Sequence, residues 1–160
     1  MGETEIIIEP GRQDIVFKKV FDAPRDIVFR ALTDPSLVPS YWGPAQYETT
    51  VEVMEPREGG RWRYVQRGPE GEFGFRGVYH KVTPELIVQT SEFEGVPGVP
   101  ALEWATLEER EGKTHYTAVS LAPSVEARDA VVASGMEGGA RELYDRLERL
   151  VESMKAGVPA

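Results

Sequence analysis

Met136-Glu137-Gly138-Gly139-Ala140-Arg141-Glu142-Leu143-Tyr144-Asp145-Arg146-Leu147-Glu148-Arg149-Leu150-Val151-Glu152-Ser153-Met154 is the longest periodic segment of the chain. Met136, Ala140, Leu143, Tyr144, Leu147, Leu150, Val151 and Met154 fall on one face at helical spacing, which predicts a long amphipathic helix with one side to bury. The other face carries Arg141–Asp145, Glu142–Arg146 and Asp145–Arg149, opposite charges one turn apart that support a helix. Ser134 and Glu137 stand just before it in the S-x-x-E arrangement of a capping box. The last residues, 156–160, read as a frayed tail. A long helix with a single apolar stripe needs a partner surface, and the residues upstream say what that surface is.

Upstream, the period changes from helical to alternating. Tyr47 to Met54 sets Tyr47, Thr49, Val51 and Val53 against Glu48, Thr50 and Glu52, the pattern of a half-buried strand. Glu58-Gly59-Gly60 turns the chain into Arg61 to Gln66, with Trp62 and Tyr64 on one face. Gly68-Pro69-Glu70-Gly71 leads into Phe73 to Val82, and Thr83-Pro84-Glu85 into Leu86 to Glu92. A loop from Glu94 to Pro100 precedes Leu102 to Glu109, and Glu111-Gly112-Lys113 makes a hairpin into Thr114 to Leu121. Strands joined by tight turns form an antiparallel meander. Ser124 to Ala133 then reads as a short helix before the long one.

At the other end, Ile15 to Phe21 is dense in Val, Phe and Ile and reads as a strand. Asp22-Ala23-Pro24 follows, with Asp22 as a candidate N-cap and Pro24 suited to a first helical turn. Ile27, Val28, Ala31 and Leu32 mark one face of a helix, which Asp34-Pro35 ends. A second short helix runs through Leu37 and Val38 and closes at Tyr41-Trp42-Gly43-Pro44. Glu5 to Glu9 fits an additional strand turned back by Pro10-Gly11-Arg12, either at a sheet edge or against a second subunit. The whole chain, 1–160, is expected to be a single domain, with 1–14 an N-terminal extension.

Composition narrows the function. At 160 residues, 41% apolar and 28% charged, the chain has the makeup of a globular domain able to bury its own core. No run of about 18 apolar residues predicts a membrane span, and the acidic start Met1-Gly2-Glu3-Thr4-Glu5 lacks the basic flank of an export signal. A cytoplasmic protein is expected. A net charge of -9 argues against nucleic acid as a partner. Arg61, Arg63 and Arg67 alternate onto one strand face, which reads as a solvated outer surface with acidic neighbours. Cysteine is absent, so disulfides and thiolate chemistry are out. His80 and His115 lie on different strands with no carboxylate cluster, so no metal site is expected. No G-x-S-x-G elbow, phosphate loop or carboxylate pair stands out. No catalytic residue is assigned and no cofactor is expected.

The order of strand, two short helices, meander and long helix resembles the helix-grip fold of START-like (SRPBCC) proteins, and particular words resemble its AHSA family, bacterial relatives of heat-shock chaperone ATPase activators. Those words are Val20 to Pro35, Tyr41-Trp42-Gly43-Pro44, Glu58-Gly59-Gly60-Arg61-Trp62-Arg63-Tyr64, Gly77-Val78-Tyr79 with Val82 to Leu86, and Gly135-Met136 followed by Leu143 to Leu147. The resemblance covers about residues 15 to 152. It implies an α+β fold in which a curved antiparallel sheet wraps the C-terminal helix. The chain departs from the family at its extra N-terminal stretch, and at Tyr41, where many members carry a second tryptophan.

Such a fold encloses a cavity, so its inward aromatic residues are the candidate ligand contacts. Trp42, Trp62, Tyr64 and Phe75 are nominated, with Tyr79, Trp104, Met136 and Tyr144; aromatic rings offer large apolar contact, and Tyr and Trp add a polar handle. Each one alone also fits a core position. Arg63, His80 and Arg141 are the polar residues weighed for reaching the cavity, and outward positions suit them better. Three functions follow in order: binding of a small apolar or amphipathic molecule (lipid, aromatic or polyketide-like), a cyclase- or hydrolase-like enzyme acting on one, and a chaperone-interacting domain. Monomer and homodimer both stay open.

Overall fold

Alternation and turn chemistry produce the strands where the sequence places them. The computed structural model describes residues 3–157. Its elements are β1 (Glu5–Ile7), β2 (Asp14–Phe21), α1 (Arg25–Thr33), a 3-10 turn (Val38–Ser40), β3 (Glu48–Met54), β4 (Arg61–Gly68), β5 (Gly71–Val82), β6 (Leu86–Phe93), β7 (Ala101–Arg110), β8 (Lys113–Leu121), α2 (Val125–Ala133) and α3 (Met136–Lys155). The tail expected to fray continues past α3, and its residues 158–160 lie outside the described residues. No helix among the described residues is long and apolar enough to cross a membrane.

Hairpins join β3 through β8 in consecutive order, and β2 pairs with β8, giving the antiparallel sheet β1-β2-β8-β7-β6-β5-β4-β3. The N-terminal strand therefore takes the edge position: Ile6 pairs with Phe17 in its own chain. Register breaks at Val51/Val53 and at Tyr79/Lys81 are bulges, and bulges bend a sheet and increase its twist. The concave face so formed receives α3. Leu147 and Val151 of α3 are fully buried, as are Phe21 of β2 and Val28 of α1.

Two local readings are corrected. Ser134 does not cap α3; its hydroxyl donates to the Val131 carbonyl at the end of α2, and α3 opens at Gly135 with φ +87°. The two helices abut so closely that a left-handed residue must turn the chain between them, and glycine adopts that conformation without strain. Asp22 likewise does not cap α1, whose N-cap position is Pro24; Asp22 pairs with Lys155 at 3.2 Å instead.

The charged face of α3 also differs from its spacing. Arg141 pairs back with Glu137 and donates to the Thr4 carbonyl at 2.6 Å, while Arg146 donates to the Gly43 carbonyl at 2.8 Å. These arginines tie the helix to the N-terminus and to the loop after the 3-10 turn. On the outer sheet face, Arg61 lies beside Glu55, Arg63 binds Glu94 and Glu52, and Arg67 binds Glu72.

Candidate ligand pocket

The concave sheet and α3 do not meet everywhere. Between them lies a pocket of about 530 Å³, within the usual range of small-molecule sites, about 300–1,000 Å³. All eight nominated residues border it. Alternation explains most of them: Trp62 and Tyr64 share the inward face of β4, Phe75 and Tyr79 that of β5, and Met136 and Tyr144 the inner stripe of α3.

Trp42 supplies the opposite wall. Its ring meets Tyr64 and Phe75 edge-on with centroids 5.0 Å from each, and Trp62 lies 4.7 Å from Tyr64. The Trp62 indole N–H donates to the Thr90 carbonyl at 3.1 Å. That bond passes directly over Gly77, where a Cβ would stand 1.8 Å from the Thr90 oxygen and 2.4 Å from the indole nitrogen. Any side chain at position 77 would displace the tryptophan.

The loop carrying Trp42 is pinned from two sides. The Thr49 hydroxyl donates to the Trp42 carbonyl at 2.8 Å, Arg146 of α3 holds the Gly43 carbonyl, and Glu142 accepts from the Ala45 N–H. Gly139 faces this loop; its nearest neighbour would be Pro44 Cγ, 3.9 Å from an added Cβ, and Gly138 has open space around it. The glycine pair therefore does not serve close packing on the sheet. Gly139, Pro44 and Gly43 all border the pocket, and the missing side chain widens the space between helix and loop.

The β7–β8 side of the pocket is polar. Tyr116 and Tyr144 hydroxyls meet at 3.0 Å, and burial pushes the Tyr116 pKa up to about 12 and also raises that of Tyr144 well above the ordinary phenol value. Beside them Glu103 lines the pocket, with Gln89 Nε2 3.5 Å from its carboxyl and Ser120 as cross-strand partner. Desolvation raises the Glu103 pKa, against the smaller opposing effect of hydrogen bonds from Ser120 and Gln89.

None of the eight nominated residues lies on the polar strand face of β7, and adjacent strand residues face opposite ways. Trp104 borders the pocket, yet its register aligns it with Val88 and Val119, the face opposite Glu103 and Ala105. Leu107, on the face shared by Glu103 and Ala105, is buried, while Leu102 on the other face is exposed. Arg63 is held on the outer face by Glu94, His80 is exposed, and Arg141 reaches Thr4, so none of the three enters the pocket. Among the described residues no group of three His, Asp or Glu side chains could hold a metal ion.

A family model described as Activator of Hsp90 ATPase homolog 1-like protein matches residues 22–152. Among solved structures, a protein from Rhodobacter sphaeroides is 29% identical, with 95% of this chain and 99% of that one covered and a TM-score of 0.85. Protein Ms6760 from Mycobacterium smegmatis is 24% identical, with 92% and 95% covered and a TM-score of 0.83. CalU16 from Micromonospora echinospora is 20% identical, with 98% and 96% covered and a TM-score of 0.63. No curated protein matches the sequence.

Proposed function

The chain belongs to the family of Activator of Hsp90 ATPase homolog 1-like proteins, and from that premise we propose that it binds a small apolar or amphipathic molecule between its sheet and C-terminal helix. The observation that carries this reading is the pocket itself. A pocket of about 530 Å³ leaves its lining side chains without the contacts that close-packed interiors normally make. Rings on one side and a few convergent polar groups on the other are what a small-molecule site requires.

Native mass spectrometry of freshly purified protein, followed by displacement of the neutral fluorophore N-phenyl-1-naphthylamine, tests it. A co-purified molecule, or saturable fluorophore binding, is expected. Gly139→Phe should abolish that binding while circular dichroism stays unchanged, because the new ring would fill the space between α3 and Pro44. An empty protein that does not bind the fluorophore, or a Gly139→Phe variant that binds it as well as the parent, would defeat the reading.

A further inference from the structure

Among the described residues lining the pocket, Glu103 alone carries a formal charge; no lysine, arginine or histidine of them joins it there. Its neighbours on each packed element are neutral: Gln89 on β6, Ser120 and Tyr116 on β8, and Tyr144 on α3. Tyr41, from the loop after the 3-10 turn, lines the pocket too and is neutral. Burial keeps all three phenols protonated through the neutral range. Gln89 and Ser120 solvate the carboxyl without cancelling its charge. A carboxylate in such a place is costly unless an opposite charge arrives.

The remaining wall is built for the same kind of arrival. Trp42, Trp62, Tyr64 and Phe75 present clustered rings, and aromatic faces attract a desolvated cation. An anionic ligand would face Glu103 with no cation to bridge them. A neutral alcohol would donate one hydrogen bond and leave the charge in place. The chain's net charge of -9 further favours the approach of cations over anions.

We propose that the pocket selects a protonated amine with an apolar or aromatic body, its nitrogen paired with the Glu103 carboxylate and its body against the aromatic wall. This rests on the ligand-binding reading above. It names the head group that reading leaves open.

The test is competition against bound N-phenyl-1-naphthylamine by three probes sharing one body: 4-phenylbutylamine, 4-phenylbutanol and 4-phenylbutyric acid. At pH 7.5 the amine should displace the fluorophore at a concentration about tenfold or more below the alcohol, the usual advantage of a charge-assisted contact, and the acid should be weakest. Glu103→Gln keeps the side-chain shape and should erase the amine's advantage over the alcohol when both are measured on that variant. The unaltered protein gives a second measure: lowering the pH to protonate Glu103 should shrink the amine's advantage and leave alcohol affinity level. An amine no better than the alcohol, or an advantage that survives in Glu103→Gln, overturns the inference while the fluorophore still reports a ligand pocket. Absence of fluorophore binding overturns both.

Discussion

Glu103 and the tyrosine pair set the chemistry of the pocket one side chain at a time. Desolvation raises the Glu103 pKa above its ordinary value of 4.5. In the window between that value and the raised one, the folded protein binds more protons than the unfolded chain, so stability falls as pH rises through it. Glu103→Gln removes this penalty. Thermal unfolding should show the variant more stable than the parent at pH 7 to 8, with the difference closing as pH falls below 4.5; a difference that ignores pH would mean the carboxyl is well solvated. Tyr116 and Tyr144 invite a double-mutant cycle, since either Phe substitution strands the other hydroxyl of the 3.0 Å pair. Each single change should cost about 1–2 kcal/mol in denaturant titrations, and the double variant clearly less than the sum. Tyr144 was legible as an inward residue because helical period fixes its stripe. Glu103 was not, because Leu102-Glu103-Trp104-Ala105 offers an apolar residue on both faces, and a carboxylate in a strand reads as a solvent-facing residue.

The strands were legible as elements because two signals agree at each: alternation inside and a glycine or proline turn outside. The short helix α2 shows where such signals stop. Its most buried side chain is charged: Arg128 is 2% exposed. The guanidinium donates to the Glu9 and Asp14 carbonyls, each at 2.9 Å, and pairs with Asp129. It thereby clasps the turn between β1 and β2, a contact spanning more than a hundred residues that no local period can announce. The same clasp explains why β1 lies along its own chain. Arg128→Ala should cost about 2–3 kcal/mol, the value of charged hydrogen bonds lost from a buried site. Hydrogen exchange should speed up at Glu5–Ile7 and at their partners Val16 to Lys18, while β4 and β5 keep their protection. Uniform loss across the sheet would show that Arg128 supports the whole core instead of this edge.

At the scale of the molecule, sheet and helix close around a space they do not fill, and that arrangement links folding to occupancy. Strands β4, β5 and β6 border the pocket together with α3, so an occupant would supply contacts the empty protein lacks. A ligand that binds the folded chain alone stabilises it by RT ln(1 + [L]/Kd), about 2.7 kcal/mol at a hundredfold excess over Kd. For a chain of this length that corresponds to a rise in Tm of about 5–10 °C. The rise should scale with the logarithm of ligand concentration and vanish in Gly139→Phe. Exchange should slow most in the first turns of α3 and in the Trp42–Pro44 loop, which border the pocket and are joined by Arg146 and Glu142. The β1 edge, held by Arg128 and Arg141 away from the pocket, should change least. A concentration-dependent Tm with protection confined to β1 would place the ligand elsewhere, on the sheet's edge, and the space under α3 would then be a packing defect without a tenant.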